Sequence, residues 1–137
     1  MMEERRTVVM YRIERALESL EEAKILFEGG FLNTFVSRLY YACFYAVSAA
    51  LLCKGLSSAK HSGIRALFHQ HLVRTGLVDQ KLGHLYDRLF DNRQKGDYAD
   101  LVRFDSSDVA SWADEAQEFV ETLHDMVNDD VNEPELK

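Results

Sequence analysis

One stretch limits what this chain can fold into more than any other. From Leu39 to Cys53 every residue is apolar or aromatic except Ser48, and the run is bounded by Arg38 and Lys54. Its 15 residues fall short of the roughly 20 that a membrane span needs. A helix that is apolar nearly all round must be enclosed by other elements. The run therefore predicts a central, buried helix with the rest of the chain arranged around it.

The remaining sequence supplies the partners. Periodicity and punctuation predict five helices and no strand. The first covers about residues 8–28, with Ile13, Leu17, Leu20 and Phe27 as its stripe, and Gly29-Gly30 stops it. The second, about residues 32–54, contains the apolar run and ends at Gly55. The third, about 61–75, carries Ile64, Leu67, Phe68 and Leu72. The fourth, about 79–95, places Leu82, Leu85, Tyr86 and Leu89 on one face, and Gly96 is expected to break or kink it. After an irregular stretch, Asp105 to Ser107 offer N-cap oxygens to a fifth helix running to about Val127. Its apolar positions are Val109, Trp112, Ala116, Val120, Leu123 and Val127. This gives a single domain over residues 1–128 and an acidic, frayed tail over 129–137.

Charge is unevenly spread. The net formal charge is −7, which argues against a general nucleic-acid binder. Residues 54–103 hold nine Lys or Arg against five Asp, and four of the five His. That middle section suits an anion-facing surface, or else scattered solvated charge. Cys43 and Cys53 lie about 15 Å apart on one helix, too far for a disulfide, and read as reduced core thiols. No signal peptide is evident, and a cytoplasmic location away from any membrane is expected. His69 and His71 point to different sides of a helix, and His61, His84 and His124 lack distinctive partners, so no metal site and no cofactor is expected.

Two segments carry the chemistry. In the second helix Arg38, Tyr41, Tyr45 and Ser48 follow helical spacing and form one polar-edged strip on an apolar helix. In the fourth, Arg93 lies eleven residues after Leu82, nearly in line with it, so it falls at the end of the buried face. A guanidinium keeps its proton and, buried, must be paired. Asp97 could supply that pairing as an internal strut; a ligand phosphate could supply it instead. The tyrosines are either core residues with hydroxyls at the rim or stacking surfaces for a base.

Several segments in order, Arg38-x-Tyr40-Tyr41-Ala42-x-Phe44-Tyr45-Ala46, Lys60-His61-Ser62-Gly63, Phe68-His69-Gln70-His71 and Arg93-Gln94-Lys95-Gly96-Asp97-Tyr98, resemble the HEPN domain, in particular its small stand-alone prokaryotic branch. The resemblance covers residues 8 to 127. It implies an all-α, up-and-down bundle of four long helices with a short extra helix, and a homodimer whose interface cleft holds the polar site. It also implies binding of a nucleotide or RNA, with a small nucleotidyltransferase antitoxin as partner. Arg38 and Arg93 would hold phosphate, Tyr41 and Tyr45 would stack or donate hydrogen bonds, and Asp97 would orient Arg93. Ribonuclease members place a histidine after the arginine that matches Arg93, with four to six residues between the two. Tyr98, Ala99 and Asp100 stand there instead. Catalytic candidates are therefore Arg93, Asp97 and Tyr98, with Tyr98 also a position for modification by AMP. The alternative readings are a ribonuclease with an altered site, using one of these or a histidine from elsewhere in the fold, and a purely structural dimeric adaptor.

Overall fold

A computed structural model describes residues 1–98 and 103–133, the side chains of 94–98 excepted. Its helices are α1 (Glu3–Glu28), α2 (Leu32–Cys53), α3 (His61–Phe68), α4 (Gln80–Tyr98) and α5 (Ser106–Asn132). A π-helical turn, His69–Val73, extends α3. The expected class holds: four long helices and one short one, with no strand among the described residues.

The apolar run does what its composition requires. α2 packs against α1, α5, α4 and α3. Twelve of its residues are buried, among them Phe35, Leu39, Tyr40, Cys43, Val47 and Leu51. By length and composition α2 could cross a membrane, yet 67% of its most apolar window is buried inside the bundle. That is how the core helix of a bundle behaves. Cys43 is buried and Cys53 half-buried, both as free thiols, and burial pushes both thiols up, Cys53 to about 11. Among the residues that α2 leaves partly open is one strip, holding Arg38, Tyr41, Phe44 and Tyr45.

The amphipathic helices close around it. α1 buries Val9, Ile13, Ala16, Leu20 and Ala23. The expected Leu17 lies on the flank at 37% exposure, because the small Ala16 on the same turn faces α1's neighbours instead. Gly30 adopts φ +80°, and Phe31 N–H reaches back to the Leu26 carbonyl at 2.9 Å, which satisfies end carbonyls that α1 would otherwise leave unpaired. α4 buries all four expected residues, Leu82, Leu85, Tyr86 and Leu89, and adds Phe90. It does not break at Gly96 but continues to Tyr98. A helical glycine costs only about 1 kcal/mol relative to alanine, less than the stripe before it contributes. Asp105 caps α5, accepting from Ser107 N–H at 3.2 Å. α5 outruns its expected end at Val127 and reaches Asn132, since Val131 continues the buried stripe.

This arrangement has a direct energetic consequence. Leu51 is fully enclosed while Leu17 is on the flank. Leu51→Ala should lower unfolding free energy by about 2–5 kcal/mol, and Leu17→Ala by under about 1 kcal/mol, both measured by urea titration. Equal losses at the two positions would contradict the placement of α2 at the centre.

Candidate nucleotide-binding site

The site forms where α2, the start of α3 and the end of α4 converge. Arg93 comes from α4 at the end of the Leu82–Leu89 stripe, as its spacing predicts. Its guanidinium lies 5.3 Å from the Tyr40 ring centroid and 5.4 Å from that of Tyr41. Those two rings meet edge to face at 5.3 Å. Arg38 places its guanidinium 4.8 Å from the same Tyr41 ring, with Glu22 at 4.0 Å. Two cations thus share Tyr41, separated by no more than roughly one Debye length at ordinary salt. Each contributes an attraction to the ring of about 0.5–2 kcal/mol, but they repel each other. An anion between them removes that repulsion. Arg38 also borders a groove of about 460 Å³ between α1 and α2, lined by Ile25, Leu26, Thr34 and Ser37.

A histidine completes the cluster. His61, the first residue of α3, sets Nδ1 2.7 Å from the Tyr40 hydroxyl and stacks its ring on Phe44 at 4.3 Å and 11°. Burial, then the Arg93 charge, hold its pKa below the ordinary histidine value. Tyr40 is fully buried, and burial pushes its hydroxyl up to about 12, against a smaller opposing pull from Arg93. At neutral pH both groups are therefore neutral and share one hydrogen bond. Gly63 allows this start of α3: a Cβ there would collide with the Ser58 side chain, which itself accepts from Lys60 N–H at 3.2 Å.

The structure sorts the expected residues. Arg38, Tyr41 and Arg93 come together. Tyr45 lies one turn further along the strip, its ring 6.2 Å from that of Tyr41, and takes a different cation: Arg15 sits 5.4 Å from its centroid. Ser48, at the end of the strip, is buried, and its carbonyl accepts from Arg12 at 3.4 Å. The backbone of α4 places Asp97 one turn beyond Arg93, but the side chains of Asp97 and Tyr98 lie outside the described residues, as do Ala99 and Asp100. Tyr40 and His61 were not among the expected ligand-binding residues. Tyr40 is one position off the strip, and His61 reaches the cluster only through the α2–α3 packing. The one signal was that both fall within the segments that resemble the HEPN domain. Among the described residues no group of His, Cys, Asp or Glu is placed to hold a metal.

Comparison with known proteins agrees with the residue pattern. A family model described as the HEPN domain matches residues 9–126. A UPF0332 protein of Thermotoga maritima is 42% identical over 93% of this chain and 97% of its own length. One of Archaeoglobus fulgidus is 34% identical over 85% of this chain and 93% of its own. A Methanocaldococcus jannaschii protein named "Putative toxin" is 38% identical over 63% of this chain and 64% of its own. With the family model spanning most of the bundle and the Thermotoga relative aligned almost end to end, the chain belongs to the HEPN domain family.

Proposed function

We propose that this HEPN-domain protein binds a nucleotide unit, free or within an RNA strand, and acts as the toxin-like half of a two-protein module with a small nucleotidyltransferase. The observation that carries the reading is the Tyr41 ring with Arg38 and Arg93 against it. Phosphate satisfies both guanidiniums through charge-assisted hydrogen bonds, and an unpaired base stacks on the partly open tyrosines of the strip. The toxin names of two relatives support the module. The nucleotidyltransferase partner is an expectation from the family.

The protein acts as a homodimer in this reading. The partly open aromatic strip of α2 and the exposed Tyr11, Ile25 and Phe31 are the kind of surface that a second copy covers, since aromatic residues and arginine dominate interface cores. Sedimentation should give about twice the 15.8 kDa chain mass. A monomer would remove the inter-subunit cleft from this account.

A second reading, a ribonuclease with an altered site, draws support from His61. It is a histidine from outside the family's usual position that stands beside Arg93, and imidazole is suited to proton transfer near neutral pH. Metal-independent cleavage of RNA that is lost in both Arg93→Ala and His61→Ala would favour this reading over simple binding.

The binding test compares a short single-stranded RNA with a mononucleotide, which separates strand from free nucleotide. Arg93→Ala should weaken whichever binds by about ten- to a hundredfold, the worth of one charge-assisted contact of 1.5–3 kcal/mol. Stability should fall by only about 1 kcal/mol, the scale of its ring contacts. A loss of about 3–5 kcal/mol, as when a buried ion pair is broken, with binding unchanged would instead make Arg93 a strut.

A further inference from the structure

The imidazole of His61 is held rigidly. Its Nδ1 edge is fixed by the Tyr40 hydroxyl at 2.7 Å, and its face lies on Phe44. The opposite edge, Nε2, makes no hydrogen bond to the described residues, and the residue is partly open. Among the described residues, the charged and titratable groups nearest the ring are cationic or neutral, with Arg65 in turn paired to Asp87 and Asp91. α2 presents Tyr40 and Tyr41, α4 presents Arg93, and its own segment supplies Lys60 before it and Arg65 one turn on. No carboxylate among the described residues is within ion-pairing distance of the ring. A histidine placed this way stays neutral until an anion arrives.

The Tyr40 hydroxyl can serve both protonation states. Beside the neutral tautomer that carries its hydrogen on Nε2, it donates its hydrogen to Nδ1. Once the ring is protonated Nδ1 becomes a donor, so the Tyr40 oxygen must accept and its hydrogen must turn elsewhere. The buried Tyr86 hydroxyl acts on Tyr40 from the neighbouring helix and has no hydrogen-bond partner among the described residues. The Tyr86 ring lies 5.8 Å from that of Tyr40, which makes this hydroxyl the candidate acceptor for the turned hydrogen. An otherwise unexplained buried hydroxyl thus has a place in the exchange.

We propose that His61 is a third contact to the ligand phosphate at the Arg38–Arg93 site, through Nε2, and that binding takes up one proton at this ring. The inference rests on the nucleotide-binding reading and adds to it a proton-linked contact. The sign follows from linkage. In the free protein the imidazole is neutral at neutral pH; a bound phosphate favours the charged form and raises its pKa. Binding therefore takes up a proton between the free and bound values, and affinity rises as pH falls through that window, by at most tenfold per pH unit for one proton.

The test uses a short 2′-O-methyl oligouridylate without terminal phosphates. It cannot be cleaved through a 2′-hydroxyl, and its backbone and bases do not titrate in the range used. Wild-type affinity, followed by fluorescence anisotropy, should increase roughly three- to tenfold from about pH 8 to about pH 6. His61→Gln, which keeps a polar partner for Tyr40, should bind with little pH dependence. Histidine ring NMR on the wild type provides a measurement that needs no variant: the His61 pKa should move up on saturation with the strand. Binding that is lost in Arg93→Ala but keeps the same pH profile in His61→Gln, or an unmoved His61 titration, would overturn the inference while leaving the site reading intact. Absence of strand binding at every pH, with a mononucleotide also failing to bind, would remove the site reading itself.

Discussion

Tyr40 is the joint on which the site depends. Its ring is fully buried and meets Phe44 of its own helix, His61 of α3, and Tyr86 and Phe90 of α4. Arg93 lies over it. One side chain thus ties three helices together and also sets the position of the two groups, Arg93 and His61, that can meet an anion. Aromatic contacts of this kind contribute about 0.5–1.5 kcal/mol each beyond area burial, so the joint is stiff. Tyr40→Phe would keep most of that packing and remove only the hydroxyl that fixes the His61 ring. Packing and chemistry can therefore be separated at this one position.

Four of the arginines beside aromatic rings show why a sequence pattern alone could not separate site from strut. Arg65 lies 4.0 Å from the Phe90 centroid but also has Asp91 at 3.6 Å and Asp87 at 3.9 Å, and Asp87 further holds His69 at 2.9 Å. Arg15 faces Tyr45 yet pairs with Glu18 at 2.7 Å. In both, a described carboxylate lies well inside ion-pairing range. Arg38 has its carboxylate only at the 4.0 Å limit, and Arg93 shares its ring with Arg38. All four sit beside an aromatic ring. Glu18 lies three residues from Arg15 on the same helix, but the aspartates at Arg65 come from another helix, which no local spacing reveals.

The fold was legible because it rests on bulk patterning. A helix that is apolar nearly all round, flanked by one-sided helices and ended by glycines, has few ways to bury itself, and the stripes on α4 and α5 fell where the period put them. The misses share a cause. Leu17 lost its place to Ala16, and Gly96 failed to end α4, because tertiary packing outweighs propensities worth about 1 kcal/mol. The helix expected over 61–75 carries a π-helical turn at its end, a backbone change that the apolar period does not encode. Of the site, the strip on α2 and the inward register of Arg93 could be read from spacing. The Tyr40–His61 hydrogen bond could not, since it joins residues twenty-one apart across a helix boundary.

Regional charge illustrates the same limit. The positive balance of residues 54–103 left open both an anion-facing surface and scattered charge. Much of it is matched locally or across helices: Lys81 pairs with Glu118 at 2.9 Å and Arg88 with Glu115 at 3.0 Å, while Arg65 faces two aspartates. The acidic α5 thus answers the basic α4. These exposed pairs contribute little to stability individually, about 0–1 kcal/mol. Their larger effect is on the field. They compensate cations along the α4–α5 side of a protein that is acidic overall. Net charge repels a polyanion at long range, where salt screens it. Recognition then falls to contacts made inside the screening length, and the geometry around Tyr41 is where such contacts are concentrated.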